Sequence, residues 1–285
     1  MNASMSEKVW LITGCSSGFG RALAEAALER GDRVVATARQ SATLLELAVR
    51  WPGTAHLLEL DVTDAAQCDA VVREAVGVFG RIDVLVNNAG YGLVGAVEEA
   101  TPVQIERNFA VNFFGPLAMI RAALPHFRAT RGGHILNISA AAAIANYAGF
   151  GIYGAAKCAL EGLSESLALE GRSFGLKVTL VQPGPFRTDF ISHGLERTPQ
   201  GISEYEASSG KFAKFLATMD GKQPGDPARA ARAMLRVVDA ERPPQRLVLG
   251  KYALEKSRRT LAQREAELKT WEETSLGADA PAQGL

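Results

Sequence analysis

Tyr153 and Lys157 lie four residues apart in the run Y-G-A-A-K, a spacing that sets a phenol and an ammonium on one helical face. A neighbouring cation favours phenolate, so the expectation is a Tyr153 pKa drawn down from about 10 toward the working pH, where a general acid or base is useful. At the other end of the chain, Val9 to Ile12 is a continuous apolar run. It is followed by Thr13, Gly14, Cys15, Ser16, Ser17, Gly18, Phe19 and Gly20, and then by helix formers from Arg21 to Arg30. Glycines at a strand-to-helix junction permit close backbone approach, and the free N–H groups of a new helix attract an anion. This stretch predicts a pyrophosphate site.

Short apolar runs alternating with helical patterns must position these two stretches. Strands are expected at Val9 to Ile12, Arg33 to Ala38, His56 to Leu60, Val84 to Val86, His134 to Ser139, Val178 to Gln182 and Leu247 to Leu249. Helices are expected from about Ala65 to Phe79, over Asn108 to Arg121, from about Tyr153 to Gly171, and over a charged stretch from about Lys251 to Thr274. The alternation predicts an α/β fold, a doubly wound parallel sheet of about seven strands with helices on both faces. One domain over 1–277 is expected, with a long polar connection without strands at about 189–227 acting as a lid over substrate. A flexible tail is expected at 278–285.

Composition narrows the function. Lys plus Arg and Asp plus Glu both total 31, so no field of one sign draws the chain to nucleic acid or an acidic membrane. No apolar run approaches the roughly 20 residues of a spanning helix, and the expected location is cytoplasmic. Cys15, Cys68 and Cys158 are too few and scattered for a disulfide framework or a zinc site, and no metal is expected.

After a pyrophosphate-binding turn of this kind, the exit of the second strand bears on which dinucleotide would fit. An acid there accepts hydrogen bonds from ribose hydroxyls, whereas a basic residue accommodates a 2′-phosphate. This chain has Ala38 and Arg39, with Asp32 at the wrong end of the strand. Arginine grips phosphate through paired hydrogen bonds, which favours NADP(H), with NAD(H) the alternative. Pro116 lacks the N–H that would bond the Asn112 carbonyl, so a helix through this segment leaves that oxygen free or bends around it.

The motifs T-G-x-x-x-G-x-G (Thr13 to Gly20), N-N-A-G (Asn87 to Gly90) and Y-x-x-x-K (Tyr153 to Lys157) occur in this order, and the chain resembles the short-chain dehydrogenase/reductase family of compact, Rossmann-type enzymes. The resemblance implies hydride transfer between a nicotinamide cofactor and a secondary alcohol or a ketone or aldehyde, in a homodimer or homotetramer. It implies that Asn88, Ala89 and Gly90 hold backbone against the nucleotide, and that Asp61 and Val62 lie beside the adenine, although Asp61 equally suits a helix cap. Pro183, Gly184, Phe186 and Thr188, in a P-G-x-x-x-T segment, would hold the carboxamide; Asn112 would anchor a water chain to Lys157.

The pattern breaks at Ala140, which occupies the family's usual catalytic serine position. Ser139 is one residue too early, and consecutive strand residues face opposite ways. Three explanations stay open: an alanine introduced to trap a complex, a Ser139 that reaches by local distortion, or a weakly active protein or nucleotide sensor. Tyr147, Phe150 and Phe190, with Ala140, are expected to line an apolar substrate pocket or else to be core.

Overall fold

The computed structural model describes residues 7–199 and 201–280. Seven strands form one sheet: β1 (Val9–Ile12), β2 (Arg33–Ala38), β3 (Ala55–Glu59), β4 (Val84–Asn87), β5 (Gly133–Ile138), β6 (Leu176–Pro183) and β7 (Arg246–Leu249). They run in the order β3-β2-β1-β4-β5-β6-β7, and every neighbouring pair is parallel. The chain therefore winds outward from β1 in one direction and from β4 in the other. The crevice above the β1/β4 boundary is where such sheets take ligands.

Among the described residues, eight helices have eight or more residues: α1 (Gly18–Glu29), α2 (Ala65–Phe79), α3 (Pro102–Phe109), α4 (Gly115–Thr130), α5 (Gly151–Glu170), α6 (Lys211–Met219), α7 (Pro227–Asp239) and α8 (Lys251–Thr270). Strand β1 is buried at every position because alternate side chains serve opposite layers. Trp10 and Ile12 pack with Leu23, Ala27, Met234 and Leu235 of α1 and α7. Leu11 packs with Val71, Ile120 and Phe127 of α2 and α4. Complete burial of one such side chain contributes about 1.5–3 kcal/mol, so both faces are firmly held.

Three local expectations change. The segment 189–227 contains a strand after all: Leu195–Arg197 pairs in parallel with Gly92–Val94, and α6 follows it. Three-residue strands carry too little alternation to show in a sequence. The helix expected over Asn108 to Arg121 is split into α3, a π-helical turn at Ala110–Phe114 and α4, so the missing Pro116 donor is absorbed by a wider turn. The charged stretch likewise ends α8 at Thr270, with a five-residue helix at Glu272–Leu276 beyond it. Of the expected tail, residues 281–285 lie outside the described residues. Among the described residues, no helix is long and apolar enough to cross a membrane.

Candidate functional site

The loop from Thr13 to Ser17 and the loop Asn88–Gly90 leave adjacent strand ends and are bonded together. The Thr13 hydroxyl accepts from the Asn88 and Ala89 N–H groups at 2.9 and 3.0 Å. The Asn88 side-chain amide donates to the Thr13 and Gly14 carbonyls at 2.8 and 2.9 Å. Gly14 sits at φ +70, and a Cβ on it would lie 2.9 Å from the Ala89 Cα; a Cβ on Gly20 would lie 2.4 Å from the Gly14 oxygen. Only glycine fits at these crossings. Ser17 caps α1 with extended backbone and no side-chain bond, and the first turn has no acidic residue. The helix therefore presents its N–H groups free of a competing carboxylate, and this cradle fits a pyrophosphate.

Around the cradle, Arg39 is exposed just past β2. Asp32, by contrast, is buried at the opposite end of that strand, where it accepts from the Lys8 N–H and the Trp10 indole at 3.0 and 2.9 Å. The Asp61 carboxylate accepts from the backbone and hydroxyl of Thr63 at 2.9 and 2.7 Å, and these bonds hold its pKa below the usual carboxylate range. The cap of α2 is Asp64 rather than Asp61. Val62 is buried against Gly115. Across the crevice, Gly184 donates to Leu249 at 3.0 Å, and Pro183 ends β6 in register with the same residue. The Thr188 side chain approaches Gly18, within 3.6 Å of where a Cβ would stand. Phe186 meets Phe19 edge-on at 5.0 Å.

Helix α5 carries Tyr153 and Lys157 inward, and both are buried. The Lys157 ammonium donates to the Ile138 carbonyl at 2.9 Å. A Cβ on Gly90 would come within 3.4 Å of Lys157 Nζ and 2.7 Å of Asn112 Oδ1, so lysine, asparagine and the N-N-A-G loop converge. The π-helical turn turns Asn112 into this space. Its Nδ2 donates to the Tyr91 and Asn108 carbonyls at 2.9 and 3.0 Å, while its buried Oδ1 has no partner among the described residues. Such an oxygen suits a water or a ligand hydroxyl.

The expected electrostatics reverse. Burial raises the Tyr153 phenol above its ordinary value, and burial pulls Lys157 down to about 8. Lys157 Nζ stands 5.8 Å from the centre of the Tyr153 ring, and desolvation outweighs the attraction read from the spacing. A consequence for stability follows. An unfolded lysine keeps its proton to about 10.5 and this one loses it near about 8, so within that window the unfolded chain binds more protons and the site's contribution to stability rises with pH. Relative to Lys157→Met, the wild type is expected to gain about 2–3 kcal/mol between pH 7 and pH 10 in urea titrations; a constant difference would place the Lys157 pKa near its ordinary value.

Ala140 is buried in extended conformation beside Tyr153, within a cluster that includes Val94, Phe150, Tyr147, Phe190 and Phe212. The Tyr153 ring packs against Phe150 and Phe190 at 5.2 and 5.9 Å. Ser139 faces away: its hydroxyl donates to Glu161 at 2.5 Å, and Gln182 donates to the same carboxylate at 2.8 Å. Local distortion that brings Ser139 to Tyr153 is therefore corrected, because the alternation of β5 commits it to the opposite side. Sequence reasoning missed Val94 and Leu195 as neighbours of this cluster, since each lies on a three-residue strand. It also missed Glu161, whose only signal is its position one turn beyond Lys157.

Three comparisons bear on this geometry. A family model described as short chain dehydrogenase matches residues 8–197. Among curated relatives, "Oxidoreductase BOA17" of Botryotinia fuckeliana is 36% identical over 95% of this chain and 99% of its own. "3-ketodihydrosphingosine reductase" of Bacteroides thetaiotaomicron is 36% identical over 86% of this chain and 89% of its own. The solved structure of a short-chain dehydrogenase from Streptomyces avermitilis is 43% identical, with a TM-score of 0.91 over 96% of this chain and 100% of that one.

Proposed function

The chain belongs to the short-chain dehydrogenase/reductase family, and on that premise we propose that this oxidoreductase uses NADP(H) to interconvert an apolar secondary alcohol and its ketone or aldehyde. The observation that carries the reading is the convergence of Lys157, Asn112 and Gly90 beside a buried Tyr153 at the carboxyl edge of the sheet. Gly14, Ser16, Ser17, Gly18, Phe19 and Gly20 would hold the pyrophosphate, Asp61 and Val62 the adenine, Asn88 to Gly90 and Lys157 the ribose. Pro183, Gly184, Phe186 and Thr188 would hold the carboxamide. When bound, the nicotinamide supplies or accepts the hydride.

The protein's own part is the proton. In reduction the Tyr153 hydroxyl gives its proton to the substrate oxygen, and in oxidation it takes one back. Lys157 biases that exchange by its charge, and Asn112 Oδ1 offers the free acceptor at which protons can be resupplied through water. The apolar side chains of Val94, Ala140, Tyr147, Phe150, Phe190 and Phe212 suit a substrate with little polar surface, and a relative named as a keto-compound reductase supports a ketone. The segment at 189–227 supplies Phe190 and Phe212 and would act as the lid. A soluble, cytoplasmic setting fits this reading.

Preference for NADP(H) rests on Arg39, with no acid at that strand exit. A charge-assisted bond to phosphate is worth about 1.5–3 kcal/mol. Arg39→Ala is therefore expected to weaken NADPH binding roughly 10- to 100-fold while leaving NADH within a few-fold, by fluorescence titration. Equal losses for both nucleotides would remove the assignment. A second reading, a nucleotide sensor or scaffold with little turnover, is favoured by Ala140 alone. Incubation with NADPH and a panel of long-chain ketones, followed by nicotinamide absorbance, separates the two: turnover supports the enzyme, and binding without oxidation supports the sensor.

A further inference from the structure

Helix α8 leaves the body of the protein partway along its length. Ala253 is buried and Lys256, Ser257 and Thr260 are half-buried, but every described residue from Leu261 onward is exposed. Past the first half of α8, Arg264 still reaches the Ile144 carbonyl at 3.3 Å. Along one side of this projecting helix Leu254, Leu261 and Leu268 recur every seven residues, with Trp271 one turn beyond. They are 43, 64, 71 and 62% exposed. An apolar residue every seven on an exposed helix face supplies one of the two rows by which helices pair.

The charges identify the partner. From Lys251 to Arg264 the helix carries Lys251, Lys256, Arg258, Arg259 and Arg264 against Glu255 alone; from Glu265 to its end at Thr270, and in the short helix Glu272–Leu276 just beyond, the chain carries Glu265, Glu267, Glu272 and Glu273 against Lys269 alone. Such a helix is complementary to itself when reversed. The row beside the leucines also repeats every seven residues and reads Lys251, Arg258, Glu265, Glu272. In an antiparallel pair of α8 the positions of this row face each other across the seam, Arg258 against Glu265 twice by symmetry, with Lys251 set toward the Glu272 end of the other copy. The same register lays Leu254 of one copy on Trp271 of the other.

The geometry points to an antiparallel, two-fold pairing of α8 with α8 of a second copy of this chain. The pairing would bring the projecting end of one copy beside Tyr252 of the other, whose hydroxyl lies 3.2 Å from that of Tyr147 at the edge of the apolar cluster. It thereby joins the assembly to the rim of each site.

Sedimentation velocity over a 100-fold range of protein concentration tests it. Leu261→Asp and Leu268→Asp are each expected to halve the mass of the wild-type assembly. Glu265→Arg sets Arg258 of one copy against an arginine of the other, and is expected to raise the dissociation constant at least tenfold. Combining Arg258→Glu with Glu265→Arg inverts both pairs and is expected to restore assembly, which separates a pairing effect from misfolding. A monomeric wild type, or one that instead binds anionic vesicles through α8, overturns the proposal. So does a Glu265→Arg chain that assembles as the wild type does, or a double reversal that fails to recover.

Discussion

Tyr153→Phe is expected to lower kcat by about 10²- to 10⁴-fold, the range supplied by a positioned general acid or base, while KM and NADPH affinity move by no more than a few-fold. The substitution removes one oxygen and keeps the ring that packs against Phe150 and Phe190 at 5.2 and 5.9 Å, so folding is not at issue. Steady-state rates with a ketone substrate measure it, and a variant within a few-fold of wild type would take the proton step away from this residue. The pH profile gives an independent check with a definite sign. Burial raises the Tyr153 pKa, so the phenol stays in its donating form across neutral pH and reduction is level there. Lys157 loses its charge near about 8. Above that pH the phenol no longer has a cation to favour release of its proton, and kcat for reduction is expected to fall, whereas Lys157→Met lacks this limb from a lower starting rate.

The sheet and the glycine crossings of the first loop were legible because each strand buried on both faces writes a continuous apolar run, as β1 does, and because glycines forced by close crossings, such as Gly14 against Ala89, leave no alternative residue type. The direction of the Tyr153 and Lys157 pKa shifts was not legible. Four-residue spacing reports that two groups share a helix face, but burial depends on what covers that face, and here Ala140 and Phe190 reach it from other segments of the chain. The strand at Leu195–Arg197 was hidden for a related reason: its strand partner is Gly92–Val94, and Leu195 pairs with Gly92, 103 residues away (195 − 92). Ser139 shows the opposite case. Alternation along β5 predicted that it faces away from Tyr153, and the bond to Glu161 supplies the cause. The charged stretch at Lys251 to Thr274 was legible as a helix; the pairing proposed for its exposed face rests on the seven-residue order of its leucines and charges.

Ala140→Ser is expected to raise kcat for carbonyl reduction by about 10²- to 10³-fold, the size of effect a single preorganised oxyanion donor has in comparable sites. Ala140 is buried beside Tyr153 with φ −159 and ψ 160, extended backbone that serine adopts without strain. The added hydroxyl would therefore sit in the same cluster as the phenol, where the substrate oxygen gains charge as the reaction proceeds. Burying a hydroxyl without a partner costs about 1–3 kcal/mol, so the free variant is expected to melt slightly below wild type and to recover when a carbonyl ligand is bound. Rate and stability then move in opposite directions, a signature that simple repacking would not give. Because the donor strengthens chiefly as charge develops, the gain belongs in kcat more than in KM. Ser139→Ala supplies the contrast: it breaks the bond to Glu161 on the far side of β5 and is expected to lower stability without reproducing any of that gain. If Ala140→Ser leaves kcat unchanged while NADPH still binds, the rate does not depend on a donor at this position, and a sensor that merely holds the nucleotide becomes the better account of the fold.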